Sequence, residues 1–205
     1  IGILGPNGIG KTTFVKILAG IDESDEKQKF GELTVSYKPQ YIAPEYYGTV
    51  QELLMNVAKE TYTSSWYKTE ILGPLRLNLL LDRYVMELSG GELQKVAIAA
   101  CLSRQADLLL LDEPTVGVDP QSRNEIFERI EELCSEGRTI VYTTHYMEEA
   151  ERLCDTVAIL DYGKILDIDN VGNLIKKHGG PSHIEAEFEE KPSNPETSKQ
   201  YIDSE

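Results

Sequence analysis

The 205 residues include 20 Lys and Arg against 35 Asp and Glu, a formal net charge of -15, and are 40% hydrophobic and 27% charged. That composition suits a globular domain with a sizeable core, and its acidity argues against non-specific attraction of the whole surface to nucleic acid or anionic lipid. No apolar run approaches the roughly 18 residues that span a bilayer and the N-terminus lacks the regions of a signal peptide, so a cytoplasmic location without direct membrane insertion is expected.

The chain opens on the apolar "IGIL", read as a strand, followed by "GPNGIGKTT" and the amphipathic "FVKILAG". The pattern G-x-x-x-x-G-K-[ST] is informative when a strand feeds it and a helix leaves it, and both conditions hold. Glycines 5, 8 and 10, with Asn7 between them, let successive N–H groups turn inward around an anion. Lys11 adds a point charge, and the helix starting near Lys11 aims its unpaired N–H groups, including those of Thr12 and Thr13, at the same place. The Thr12 hydroxyl suits magnesium, a hard cation that takes oxygen ligands. A nucleoside triphosphate is the expected ligand.

"IDESDEKQKFGE" then reads as a polar, charged loop before the short strand "LTVSYKPQ". From about 41 to 88 the pattern is helical, with "TVQELLMNVAKE" the clearest amphipathic stretch, and this region is expected to be a helical lobe. A long helix is expected after the Gly90–Gly91 pair, through "ELQKVAIAACLSR". "ADLLLLDEP" has the continuous apolar run of a buried parallel strand. A helix "PQSRNEIFERIEELCSEG", a strand "RTIVYTTH", a helix "YMEEAERLC" and the strands "DTVAILDYG" and "KILDID" follow. The alternation predicts an α/β fold of the P-loop NTPase kind: a mostly parallel sheet covered by helices on both faces, with the lobe inserted, over residues 1–180. Residues 181–205, rich in Glu, Pro, Ser, Lys and Asn, read as an acidic, loosely ordered tail. Cys101, Cys134 and Cys154 are odd in number and form no C-x-x-C pair, which suggests neither a disulfide framework nor a metal site.

Asp112 and Glu113 close the strand "LLLLDE", at the edge where open α/β sheets bind ligands. In P-loop enzymes the first such acid holds magnesium, which leaves Glu113 free to orient or deprotonate a water. Upstream, "LSGGELQ" offers a second anion cradle from Ser89, Gly90 and Gly91 at a helix N-terminus, while Ser89 and Glu92 also satisfy a capping box, so both readings stand together. This stretch resembles the signature of ATP-binding cassette (ABC) ATPases. In that family nucleotide-binding domains pair head to tail, each signature closing over the partner's ATP. Gln40 in "YKPQY" resembles the Q-loop, Asp119 in "TVGVDP" the D-loop and His145 in "VYTTHY" the switch histidine. By resemblance Gln40 links metal and water to the lobe, and His145 contacts the γ-phosphate. The likeness covers roughly residues 1 to 175 and implies a magnesium-dependent ATPase.

Residues 1–105 are similar to the second nucleotide-binding domain of the ribosome-recycling ABC iron–sulfur ATPase. Residues 108–175 are similar instead to ATPase subunits of ABC-2 type exporters, so the chain reads either as a chimera or as one ATPase sharing features of both branches. The family places antiparallel strands and an adenine-stacking aromatic before the P-loop, and by that comparison the chain is expected to be truncated at its N-terminus. The leading expectation is a soluble ATPase that does conformational work on a ribosome-like partner. The alternatives are the ATP-binding subunit of an exporter, working on a membrane subunit, and a nucleotide-binding fragment with little turnover.

Overall fold

A computed structural model describes residues 1–23, 33–40 and 45–178. Most of the charged loop, the first residues of the expected lobe and the expected tail at 181–205 lie outside the described residues.

Among the described residues six strands form one sheet in the order β2-β3-β4-β1-β5-β6: β1 (Gly2–Leu4), β2 (Val35–Lys38), β3 (Leu108–Asp112), β4 (Thr139–Thr144), β5 (Val157–Asp161) and β6 (Lys164–Asp169). The first five run parallel. Parallel strands need long crossovers, and the helices supply them: α1 (Lys11–Leu18), α2 (Val50–Ala58), the single turn α3 (Ser65–Tyr67), α4 (Gly90–Leu102), α5 (Pro120–Ser135) and α6 (Met147–Leu153). β6 runs antiparallel to β5, because only Tyr162 and Gly163 separate them; their φ angles of 43° and 72° make a tight hairpin turn. A final helix α7 (Val171–His178) follows β6, a segment that the sequence reading left without an element.

β3 is buried on both faces, as its four consecutive leucines imply. Successive side chains leave a strand on opposite sides, so Leu110 packs with Ile3, Val15, Val141 and Leu160, while Leu109 and Leu111 pack with Ile98, Ile126 and Ile130. The second cluster continues into the lobe through Val50, Leu54, Tyr67, Ile71, Leu75 and Leu77. α4 lies between lobe and sheet and is buried nearly all round, with Gln94, Lys95, Val96, Ile98, Ala99 and Cys101 all covered.

The lobe is less regular than its pattern suggests. Among the described residues of the lobe only α2 is a multi-turn helix, begun by Thr49, whose hydroxyl accepts from Glu52 N–H at 3.2 Å while the Glu52 carboxylate takes the Thr49 N–H at 2.8 Å. From Lys59 to Glu87 the chain turns in short pieces, among them Lys59–Thr63, Lys68–Leu72, Leu77–Leu79 and Val85–Glu87. Two ion pairs of opposite sense tie it to α5: Arg76 with Glu125 at 3.1 Å, and the fully buried Arg129 with Glu70 at 3.4 Å. The long helix begins at Gly90 itself, two residues before the expected start, since Ser89 supplies the cap.

Candidate functional site

The site gathers where β1, β3 and β4 end. β1 stops at Leu4 and α1 begins at Lys11, so Gly5–Gly10 form the loop between them. Any Cβ at Gly5 would collide with Ile9 and the Leu160 carbonyl. Gly10 stands at the N-cap of α1 with φ 105°, a conformation closed to most side chains, and no side chain among the described residues caps the helix. The first amides of α1 therefore remain available to an anion. Gly163, in the β5–β6 turn, props the loop from behind by donating its N–H to the Ile9 carbonyl at 3.0 Å.

Lys11 curls back over the loop. Its ammonium donates to the carbonyls of Gly5 and Pro6 at 2.8 and 2.9 Å and pairs with Glu113 Oε1 at 2.9 Å. Glu113 is 4% exposed and sits with φ 40°, a left-handed conformation that costs a residue with a side chain about 1–3 kcal/mol. Its other oxygen, Oε2, accepts from Gln40 Nε2 at 2.9 Å and lies 3.4 Å from His145 Nδ1. One carboxylate thus collects the P-loop lysine, the glutamine and the histidine that the sequence singled out separately. Asn7, Gly8, Gly10, Lys11, Thr12, Thr13, Gln40 and Glu113 line one cavity of about 360 Å³ at this spot.

Asp112 stands directly behind. Its Oδ1 accepts from the Thr143 hydroxyl at 2.7 Å, and the same hydroxyl accepts the Glu113 N–H at 2.9 Å. Thr143 reaches both because β4 pairs with β3 in the register Asp112–Thr143. The phenol of Tyr37 donates to Asp112 Oδ2 at 3.4 Å; burial and the neighbouring carboxylate push its pKa well above the usual range. Lys38 Nζ reaches the Asp112 carbonyl at 3.4 Å, and burial lowers its pKa to about 7. Sequence reading passed over Thr143 and Lys38; the available signal was a lysine inside the strand that leads to Gln40.

Among the described residues no three His, Cys, Asp or Glu side chains could hold a metal by themselves. Of the expected set, Thr12 and Gln40 line the cavity, while Asp112 is fully buried behind it with its oxygens held by Thr143 and Tyr37, so the set offers a few oxygen atoms beside an anion cradle. That suits magnesium, which keeps several waters and takes substrate phosphates as ligands.

Ser89, Gly90, Gly91 and Asp119 form a second group. Ser89 caps α4 in a capping box, its N–H donating to Glu92 Oε2 at 2.7 Å, and Asp119 caps α5 by accepting the Ser122 N–H at 2.9 Å. The two caps are neighbours: a Cβ at Gly91 would stand 3.1 Å from Asp119 Oδ2. None of these four residues lines the cavity described above.

Residues 1–116, more than half of the chain, match the ABC transporter family. An uncharacterized ABC transporter ATP-binding protein of Methanocaldococcus jannaschii is 57% identical over 138 residues, 66% of this chain and 23% of that protein. The Nod factor export ATP-binding protein I of a Rhizobium species is 35% identical over 200 residues, 90% of this chain and 66% of that protein. A solved structure of the archaeal ribosome recycling factor aABCE1, in complex with the ribosomal stalk protein aP1, superposes with a TM-score of 0.71 at 46% identity, over 80% of this chain and 32% of that one. The chain thus spans less than two thirds of each relative's own length. At 90% coverage, the Rhizobium match runs through both halves of the sequence, so the change of character near Leu108 is no boundary in that comparison. The strand–cradle–helix unit, the paired acids at the end of β3 and these matches make the chain a member of the ABC transporter family of ATP-binding domains, which are ATPases.

Proposed function

We propose that this chain binds magnesium-ATP in the cavity between α1, Gln40 and Glu113 and hydrolyses it. The observation that carries the reading is the single buried carboxylate of Glu113, which gathers Lys11, Gln40 and His145 at the cavity wall. The amides of Gly8–Thr13 and the Lys11 ammonium bind the phosphates; the helix dipole and a fixed cation favour an anion there. Thr12, Gln40 and Asp112 would hold magnesium, which would neutralise charge on the phosphoryl oxygens. Glu113 accepts a proton from the attacking water, Gln40 holds the carboxylate in place, and His145 Nδ1 stands close enough to steady the same oxygen or a γ-phosphate.

The separation of Ser89, Gly90, Gly91 and Asp119 from this cavity supports a head-to-tail pair in which they close over the second domain's nucleotide. The lobe is the expected docking place for a larger partner. Its likeness to the recycling factor favours a ribosome-like partner, and the export ATP-binding protein, matched over 90% of the chain, favours a membrane subunit as the second reading. Co-purification with a membrane subunit, lost on substituting surface residues within 45–70, decides for the second.

Hydrolysis is tested by comparing Lys11→Ala with Glu113→Gln. Lys11→Ala loses most ATP binding in calorimetry. Glu113→Gln keeps binding but slows phosphate release by about 10²-fold, the scale of losing a general base. Wild-type turnover in Glu113→Gln removes that residue from the chemistry.

A further inference from the structure

Glu149 is 4% exposed, and among the described residues it has no cationic partner. A carboxylate in such a place is costly unless donors surround it. Three hydroxyls do so. Thr115 donates to its Oε1 at 2.7 Å; Thr144 and Tyr142 donate to its Oε2 at 2.6 and 3.0 Å. Burial and the adjacent carboxylate push the Tyr142 phenol well above its usual range, so it stays protonated as a donor.

The placement of those hydroxyls matters more than their number. Thr115 lies two residues beyond Glu113, and Thr144 immediately precedes His145. The Thr144 hydroxyl also accepts the Tyr146 N–H at 3.0 Å, fixing the backbone on the far side of His145. Glu113 holds a left-handed φ of 40° that a non-glycine residue leaves unless its surroundings impose it. On its near side the Thr143 hydroxyl accepts its N–H; on its far side the chain is anchored through Thr115 to Glu149. Among the described residues His145 Nδ1 has no hydrogen-bond partner and only the 3.4 Å approach to Glu113 Oε2, so its position depends in large part on the backbone that carries it.

Given that Glu113 activates water as proposed above, we infer that Glu149 is a positioning residue for hydrolysis: one buried carboxylate ties the exit of β3, carrying Glu113, to the exit of β4, carrying His145. It does not line the cavity described above. It holds two reacting side chains in mutual register through neutral hydroxyls, so the distance between them is set from the protein side of the site.

The test pairs hydroxyl removal with hydroxyl retention. Thr115→Val and Thr144→Val keep the size and branching of threonine and delete the hydroxyl's bond to Glu149, together in Thr144 with the bond it accepts from Tyr146 N–H; Thr115→Ser and Thr144→Ser keep these bonds. Glu149→Gln replaces the acceptor. Each valine variant and Glu149→Gln lowers kcat about tenfold while the ATP dissociation constant moves less than about twofold, and each serine variant stays within about threefold of wild type. With His145 already replaced by alanine, adding Glu149→Gln costs less than about twofold, since there is no longer a second group to register.

Full turnover in a folded Glu149→Gln protein overturns the inference. So does an equal loss in the serine and valine variants, because packing and not the hydrogen bonds would then fix the strand exits. Should Glu149→Gln fail to fold, Thr115→Val carries the same comparison. A wild-type chain that releases no phosphate counts against hydrolysis and leaves the tie itself to be read from imidazole nitrogen resonances. The chain has three histidines, and the His145 signal is identified by its loss in His145→Ala. That signal moves in Thr115→Val and Glu149→Gln if the tie exists, and stays in place if it does not.

Discussion

The edge of the sheet that carries the cavity and the lobe at 50–87 solve opposite problems. At the edge, few atoms are left to chance: Glu113 is held at a strained φ, Lys11 has three oxygen partners, and Asp112 and Glu113 share the hydroxyl of Thr143. In the lobe the backbone after α2 follows no single helical repeat, yet Tyr67, Ile71, Leu75 and Leu77 are wholly buried. Dense burial does not require regular secondary structure, whereas an anion site does require particular backbone angles. The lobe therefore adds buried core to this fold, and the sheet edge supplies its chemistry.

The strongest way to break that division is Leu54→Ala, which removes a fully buried side chain from α2. Loss of a leucine from such a core costs about 2–5 kcal/mol, read by urea denaturation. Below the unfolding transition the ATP affinity of the folded fraction stays at the wild-type value. An affinity that collapses together with stability would show that lobe and cradle are one unit.

A finer comparison uses two caps of the same construction. Thr49 begins α2 and Ser89 begins α4, each in a capping box with a glutamate three residues on. Thr49→Ala and Ser89→Ala each cost about 1 kcal/mol of stability in chemical denaturation. Only Ser89→Ala also slows hydrolysis under conditions where two chains associate. Equal effects of both on turnover would reduce the "SGGE" stretch to a helix cap.

The smallest effect lies far from both regions, where Lys177 and His178 on α7 meet Asp167 and Asp169 on β6. Hydrogen bonds from Asn173 and then Lys177 lower the Asp169 pKa from 3.8 to about 2. A depressed carboxylate stabilises the fold above its unfolded pKa and loses that contribution as pH falls through the folded one. Amide exchange in α7 accordingly speeds up between pH 3.8 and about 2, before exchange in β3 or β4 changes. Simultaneous exchange in all three would mean that α7 is no separate unit.

Much of the site could be read from the chain because its motifs are local. Gly5 to Thr13 fix their own backbone, and Asp112–Glu113 stand at the end of an unmistakable buried strand. Thr143 was invisible because its role depends on the β3–β4 register, which no short stretch encodes. The lobe was read as more helical than it is, since apolar spacing reports burial and the 59–87 segment is buried without long runs of helical hydrogen bonds. The antiparallel turn into β6 was not read, because "YG" was taken as the end of a strand, although a connection that short is too short for any crossover. α7 escaped notice because the glycine at 172 and a mixed polar composition weaken its pattern.

The position of β1 in the sheet bears on how the chain reaches this structure. Ile3 pairs with Thr143 on one side and Ala158 on the other, partners separated from it by well over a hundred residues. Closing such loops is slow, and contacts of this range form late. The segment bearing Lys11 leaves the ribosome well before β4 and β5 exist to receive it. During synthesis the nucleotide cradle must wait beside a lobe whose contacts are largely nearby in sequence, so early truncated products can be compact in the lobe and still be unable to hold ATP.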